Sequence, residues 1–265
     1  MEKKLSTFFI CVLVLVTGFA LLLSLFMLYG ILMKKQDQSV ETEVAAANIV
    51  LEETSDFGQD YIDKIIFLGE STTYGLQRYG VLSGGTNTKQ IWTGATTKNG
   101  KVISSGTLSL SPHIDQTKIF YPDTESAISI SDAVKKSSPQ YLIITLGLNN
   151  GASYYSENEF KNCYRILLDS ILAVNSETRI ILQSLFPVSK NCGIKAYYPE
   201  RIQTCNKWIY DIAEEYNLKY LNTYEALANE QGYLKDEYDN GGDGIHLNAT
   251  GLVAVIDYIR YHGYS

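Results

Sequence analysis

Short apolar runs alternating with amphipathic stretches constrain this chain more than any other feature. Lys64 to Leu68, Gln140 to Leu146 and Arg179 to Gln183 have the length and apolar character of central parallel strands. Between the second and third, Ser156-Glu157-Asn158-Glu159 forms a capping box that opens a helix to about Asn175. Pro199 suits the first turn of another helix, whose stripe runs Ile202, Cys205, Ile209, Ile212 and Tyr216. Lys219 to Asn222 follows as a further strand, and Asn248 caps a last helix through Tyr261. This β-α-β-α order predicts an α/β fold, a three-layer α/β/α sandwich with a mainly parallel central sheet and right-handed crossovers. Gly84 to Leu110 is rich in Gly, Ser, Thr and Asn and shows no clear period; Gln90 to Thr93 and Lys118 to Tyr121 are its nearest strand candidates.

Chemistry gathers where those strands end. Gly69-Glu70-Ser71-Thr72-Thr73 follows the first strand, Gly147-Leu148-Asn149-Asn150 follows the second, and Asp243-Gly244-Ile245-His246 precedes the last helix. Open α/β sheets collect their functional groups at the carboxyl ends of their strands. A serine hydroxyl becomes a nucleophile only when a base takes its proton and a third group orients that base. The chain has three histidines. His113 falls in an irregular segment and His262 in the terminal tail, which leaves His246 as the base, with Asp243 three residues away to hold it. Asn149 at a strand end is placed to donate to an oxyanion, together with backbone amides of the turn at Ser71. Thr73 occupies the place of the second glycine of a Gly-x-Ser-x-Gly elbow, which argues against an α/β-hydrolase. Each motif also has a structural reading. Ser71 can cap a helix beginning near Thr72, Asn149-Asn150-Gly151 and Asp243-Gly244 are turn pairs, and His246 can be a structural histidine.

Taken together and in order, the three motifs resemble the blocks of the SGNH hydrolases, the GDSL-like lipase/acylhydrolase family, over about Tyr61 to Ser265. The resemblance implies a flavodoxin-like fold and assigns the nucleophile to Ser71, the oxyanion donor to Asn149, the acid to Asp243 and the base to His246. It further implies a glycine donor in a second block, for which Gly94 is the candidate by order along the chain; the same glycine also reads as a turn residue. Glu70 stands where the family has Asp, and Asn150 where it has a second Asp.

Leu5 to Met33 carries no charged side chain. A membrane-spanning helix needs about 20 apolar residues, whereas a signal-peptide core has about 7–15. Residues 1–35 are therefore expected to be a retained signal anchor and 36–60 a polar linker, with residues 61–265 as the SGNH hydrolase-like domain. The expected location is a single-pass membrane protein with its domain outside the cytoplasm. Lys3 and Lys4 before the span balance Lys34 and Lys35 after it, so charge alone leaves the orientation open.

With 22 basic and 29 acidic residues and a net charge of -7, the chain lacks the basic footprint of a nucleic-acid binder. Its cysteines show no zinc or redox spacing, and no metal or organic cofactor is implied. Cys163 reads as a buried small hydrophobe, while Cys192 and Cys205 are left open as a disulfide or two free thiols. Among 20 tyrosines, Tyr154-Tyr155 and Tyr197-Tyr198 read either as a sugar-stacking rim or as ordinary core and surface residues. The function expected is a serine esterase acting on small O-acyl esters, acetyl foremost, of an envelope or extracellular carbohydrate. Two alternatives are an O-acyltransferase using the same triad on a glycan, and a catalytically idle SGNH fold that binds glycans or serves as a scaffold.

Overall fold

The structure, a computed structural model, describes residues 24–34 and 49–264. The chain divides into two compact units, Met1–Asn48 and Ile49–Ser265. In the first, residues 24–34 are helical. Most of the apolar run expected to cross the membrane lies outside the described residues. Among the described residues no helix is long and apolar enough to do so.

The second unit is built on a five-stranded parallel sheet. Its strands are β1 (Ile65–Gly69), β2 (Ile91–Trp92), β7 (Tyr141–Thr145), β8 (Arg179–Gln183) and β9 (Lys219–Leu221), in the spatial order β2-β1-β7-β8-β9. Chain order reverses between β1 and β7, whose register sets Leu68 beside Ile144 and Gly69 beside Thr145. That reversal is the topological switch point, where the connections leave in opposite directions and a crevice opens at the carboxyl ends of the strands. Helices cover both faces. Leu142 and Ile144 point to one side, packing with Phe160, Leu167 and Ile171 of α3 (Glu157–Leu172) and Ile202 and Ile209 of α4 (Pro199–Glu215). Tyr141 and Ile143 point to the other, with Leu76 of α1 (Ser71–Arg78) and Leu252, Val255 and Ile259 of α5 (Ala249–Tyr261). The alternation is the period of two of a strand buried on both faces. The caps read from the sequence are made: Ser156 and Glu159 form a reciprocal capping box, and the Asn248 side chain accepts from the Gly251 N–H. The α3 helix ends at Leu172, short of Asn175.

Two features differ from expectation. The segment without a clear period holds two of the four strands of a second, antiparallel sheet, ordered β4-β3-β5-β6. Its members are β3 (Gly94–Lys98), β4 (Lys101–Ser105), β5 (Lys118–Tyr121) and β6 (Ser126–Ser129), the last followed by α2 (Ile130–Ser137). Asn99 and Gly100, at φ 51° and 74°, join β3 to β4. Asn-Gly is the dipeptide that tight hairpins favour, because both positions need positive φ. The polar linker also ends earlier than residue 60. Ile49 and Leu51 are buried, Leu51 N–H donates to the Tyr220 carbonyl at 2.9 Å beside β9, and Asp56 pairs with Arg260. Among the described residues of this stretch, the acidic Glu52, Glu53, Asp56 and Asp60 are exposed, while Ile49 and Leu51 anchor it.

Candidate active site

Ser71 is the first residue of α1, directly beyond β1. The cap position belongs to Glu70, and no side chain caps this helix. The Ser71 hydroxyl is thus not spent on capping, which removes its main structural reading. The N–H of Ser71 lies among the unpaired donors of a helix N-terminus, where the helix dipole favours negative charge.

Glu70 is fully buried, and its carboxylate reaches from β1 to the loop after β7. Its two oxygens accept the Leu148 N–H at 2.8 Å and the Asn149 N–H at 2.7 Å. Burial pushes this carboxyl up to about 8, against the N–H donors of Asn149, Leu148 and Gly147 that pull it down. Glu in place of Asp thus leaves the two loops joined through its carboxyl group. Asn150 is exposed and takes a positive φ of 67°, a backbone region that costs a non-glycine residue energy and persists only when its surroundings impose it.

Those surroundings are extensive. Tyr164 Oη donates to the Leu146 carbonyl and Tyr197 Oη to the Leu148 carbonyl, each at 2.7 Å and buried. Arg201 donates to the carbonyls of Ala152 and Tyr155 while stacking over Trp208. Gly147 and Gly151 press on the Phe160 ring so closely that a Cβ at either would come within 2.7 Å of it. The Asn149 side chain emerges from this frame and donates through Nδ2 to the Leu108 carbonyl at 3.2 Å. An amide nitrogen carries two hydrogens, so one remains for another acceptor.

His246 and Asp243 form the third element. Asp243 Oδ2 lies 2.6 Å from His246 Nδ1, and Oδ1 accepts the backbone N–H groups of Ile245 and His246 at 2.8 and 3.0 Å. The three-residue spacing lets one carboxylate fold the turn and face the imidazole together. Burial alone would raise the Asp243 carboxyl, but the two N–H bonds and the imidazole outweigh it and hold the group below the usual range. Gly244, at φ 72°, lies against the backbone of Cys192, and its carbonyl accepts from Ser189 N–H at 2.7 Å. His262 instead stacks on Tyr258 at 3.7 Å.

Ser71 and His246 line one cavity of about 290 Å³, whose wall includes Tyr74, Arg78, Gly106 and Leu252. Asn149 does not line it. Gly94 sits at the start of β3, tight against Thr107 and Leu108; the glycine whose backbone abuts Ser71 is Gly106, where a Cβ would come 2.7 Å from Ser71 Cα. Sequence reasoning missed Gly106, Tyr197 and Arg201. Of these, Gly106 had a local signal, since it closes the hairpin that Asn99-Gly100 marks. Tyr197 is buried and Tyr198 exposed, and Tyr154 is exposed while Tyr155 donates to the Leu110 carbonyl, so only one tyrosine of each pair is free to form a rim. Cys163, Cys192 and Cys205 are free thiols. Among the described residues no cluster of His, Cys, Asp or Glu is arranged to hold a metal ion.

A doubly wound α/β domain with a serine at its switch point and an aspartate-held histidine across the same cavity defines a class of acyl-transferring proteins. The sequence profile of the GDSL-like lipase/acylhydrolase family matches residues 67–252, and the chain belongs to that family. Three solved structures share the fold. A Streptococcus pneumonia protein provisionally named a platelet activating factor is 20% identical, with a TM-score of 0.53 over 89% of this chain and 96% of the other. A Desulfitobacterium hafniense protein provisionally named as lipolytic and of the G-D-S-L family is 13% identical, with a TM-score of 0.51 over 74% and 97%. A Bacteroides fragilis protein provisionally named an acylhydrolase is 17% identical, with a TM-score of 0.50 over 74% and 83%. No curated protein sequence matches the chain.

Proposed function

We propose that this protein is a serine esterase that hydrolyses small O-acyl esters, acetyl foremost, of an envelope or extracellular carbohydrate. The observation that carries the reading is the Asp243–His246 pair at 2.6 Å, with His246 and Ser71 on one cavity. Ser71 Oγ attacks the ester carbonyl as His246 Nε2 takes its proton. Asp243 holds the Nδ1–H tautomer and stabilises the imidazolium that results. The negative oxygen of the tetrahedral intermediate is met by the Ser71 N–H, the Gly106 N–H and the Asn149 side chain. His246 returns the proton to the leaving alcohol, and water then releases the acyl group by the reverse sequence. Residues 1–35 would hold the protein to a membrane as a single-pass anchor with the domain outside the cytoplasm; the uncharged run from Leu5 to Met33 supports this.

The test is hydrolysis of a short-chain chromogenic acetate ester by the full chain, beside Ser71→Ala and His246→Ala. Both variants are expected to lose at least about 10³-fold in kcat. Variants that match the parent would overturn the assignment.

A further inference from the structure

The α1 helix carries more of the cavity than its first residue. Ser71, Tyr74 and Arg78 line it at the three- and four-residue steps that place side chains on one helix face, and Tyr79 at the C-cap lines it as well. Arg78 is seven positions beyond Ser71, about 10 Å along the axis. Long side chains on a helix lean back toward its N-terminus, which is the end that carries Ser71.

Arg78 differs from every other arginine in the chain. Arg165 pairs with Glu215, Arg260 with Asp56, Arg179 donates to Tyr141 Oη, and Arg201 caps the carbonyls of the Asn149 loop. Among the described residues Arg78 has no ion pair, hydrogen bond or aromatic partner, and it is exposed. The cavity wall contains no Asp, Glu or Lys, so Arg78 is its one permanent charge. A protein of net charge -7 has many carboxylates with which to neutralise an arginine. None among the described residues is brought to this one. A cation in a last helical turn also suits the helix dipole, but that role needs no cavity and does not explain the missing acid.

We infer that the ester taken by this cavity carries an anionic group, a carboxylate or a phosphate, on its alcohol portion, and that Arg78 binds that anion while Ser71 faces the ester. The inference rests on the esterase reading for the identity of the reacting end. Tyr74 and Tyr79 also line the cavity, and a tyrosine ring can stack on the apolar face of a sugar. The planar guanidinium donates two parallel hydrogen bonds to either anion, which an ammonium cannot reproduce.

The experiment compares three O-acetyl esters with the full chain: a methyl glucoside, a methyl glucuronide and a glucose 6-phosphate. The readout is the ratio of kcat/KM for each anionic ester to that for the neutral one. The expected ratio is about 10- to 100-fold in the parent, the span of one charge-assisted contact, and near one in Arg78→Ala. Arg78→Lys is expected to recover only part of it. Preference for the glucuronide alone or the phosphate alone identifies the source of the anion. Equal kcat/KM for all three esters in the parent, or an unchanged ratio in Arg78→Ala, overturns the inference while leaving the esterase reading intact. Binding of the same esters to Ser71→Ala, with and without Arg78→Ala, separates the two claims. Arg78-dependent binding of the anionic esters in a parent with no turnover would sink the esterase reading and keep the anion site. Absence of that dependence would sink the anion site.

Discussion

Replacing Glu70 by Gln tests the brace between the two loops and the charge state of its carboxyl. The side chain is fully buried and its carboxyl sits at about 8 against an ordinary 4.5. A raised carboxyl favours the protonated folded state, so its stabilising contribution is complete below the unfolded value and is lost as pH rises through the folded one. At about 1.4 kcal/mol per pH unit, the loss attributable to Glu70 between pH 5 and 8 is about 3–4 kcal/mol. This is a large part of the 5–15 kcal/mol typical of a domain. Gln keeps the volume and does not titrate. Urea unfolding followed by fluorescence of the buried Trp92 and Trp208, at half-unit steps from pH 5 to 8.5, gives the difference between parent and Glu70→Gln. The parent is expected to lose ground steadily to the variant across that range, as contributions from all other groups cancel. Parallel curves would refute the reasoning and mean that the Leu148 and Asn149 N–H donors keep the carboxyl ionised throughout.

Asp243→Asn retains an acceptor for the Ile245 and His246 N–H groups but presents an amide to His246 Nδ1, favouring the wrong tautomer. The expected loss in kcat is about 10⁴-fold with the fold intact by circular dichroism. Gly106→Ala sets a methyl 2.7 Å from Ser71 Cα, a backbone clash that flexible side chains cannot absorb. It is expected to cost about 1–3 kcal/mol in urea unfolding and more than tenfold in kcat. Tyr197→Phe leaves the buried Leu148 carbonyl without its donor and is expected to lower stability by about 1–2 kcal/mol, with a drop in kcat through the loosened Asn149 loop. Unchanged turnover there would show that the loop is held by Glu70 and Arg201 alone.

How much of this was legible beforehand varied with the range of the interaction. The capping box at Ser156, the start of α4 at Pro199 and the cap at Asn248 are decided within a few residues, and each is where the sequence places it. The same holds for Asp243 and His246, joined through a three-residue turn. The Asn99-Gly100 hairpin was equally local, yet the polar, glycine-rich composition around it masked a two-strand alternation. The start of the domain at Ile49 was hidden for a different reason: Ile49 and Leu51 show no pattern until Tyr220 pairs with this segment and the Tyr261 carbonyl takes the Thr54 N–H.

By itself the sequence determined the alternation of strands and helices, the starts of the capped helices and the chemical types at the carboxyl ends of the strands, because periodicity, caps and turns are short-range. Only the tertiary structure decided that Glu70 would join β1 to the loop after β7, that Gly106 and not Gly94 would press on Ser71, and that Arg78 would face the cavity without an acid. Those are contacts between segments far apart in the chain, selected by the strand order of one sheet and by the space its packing leaves.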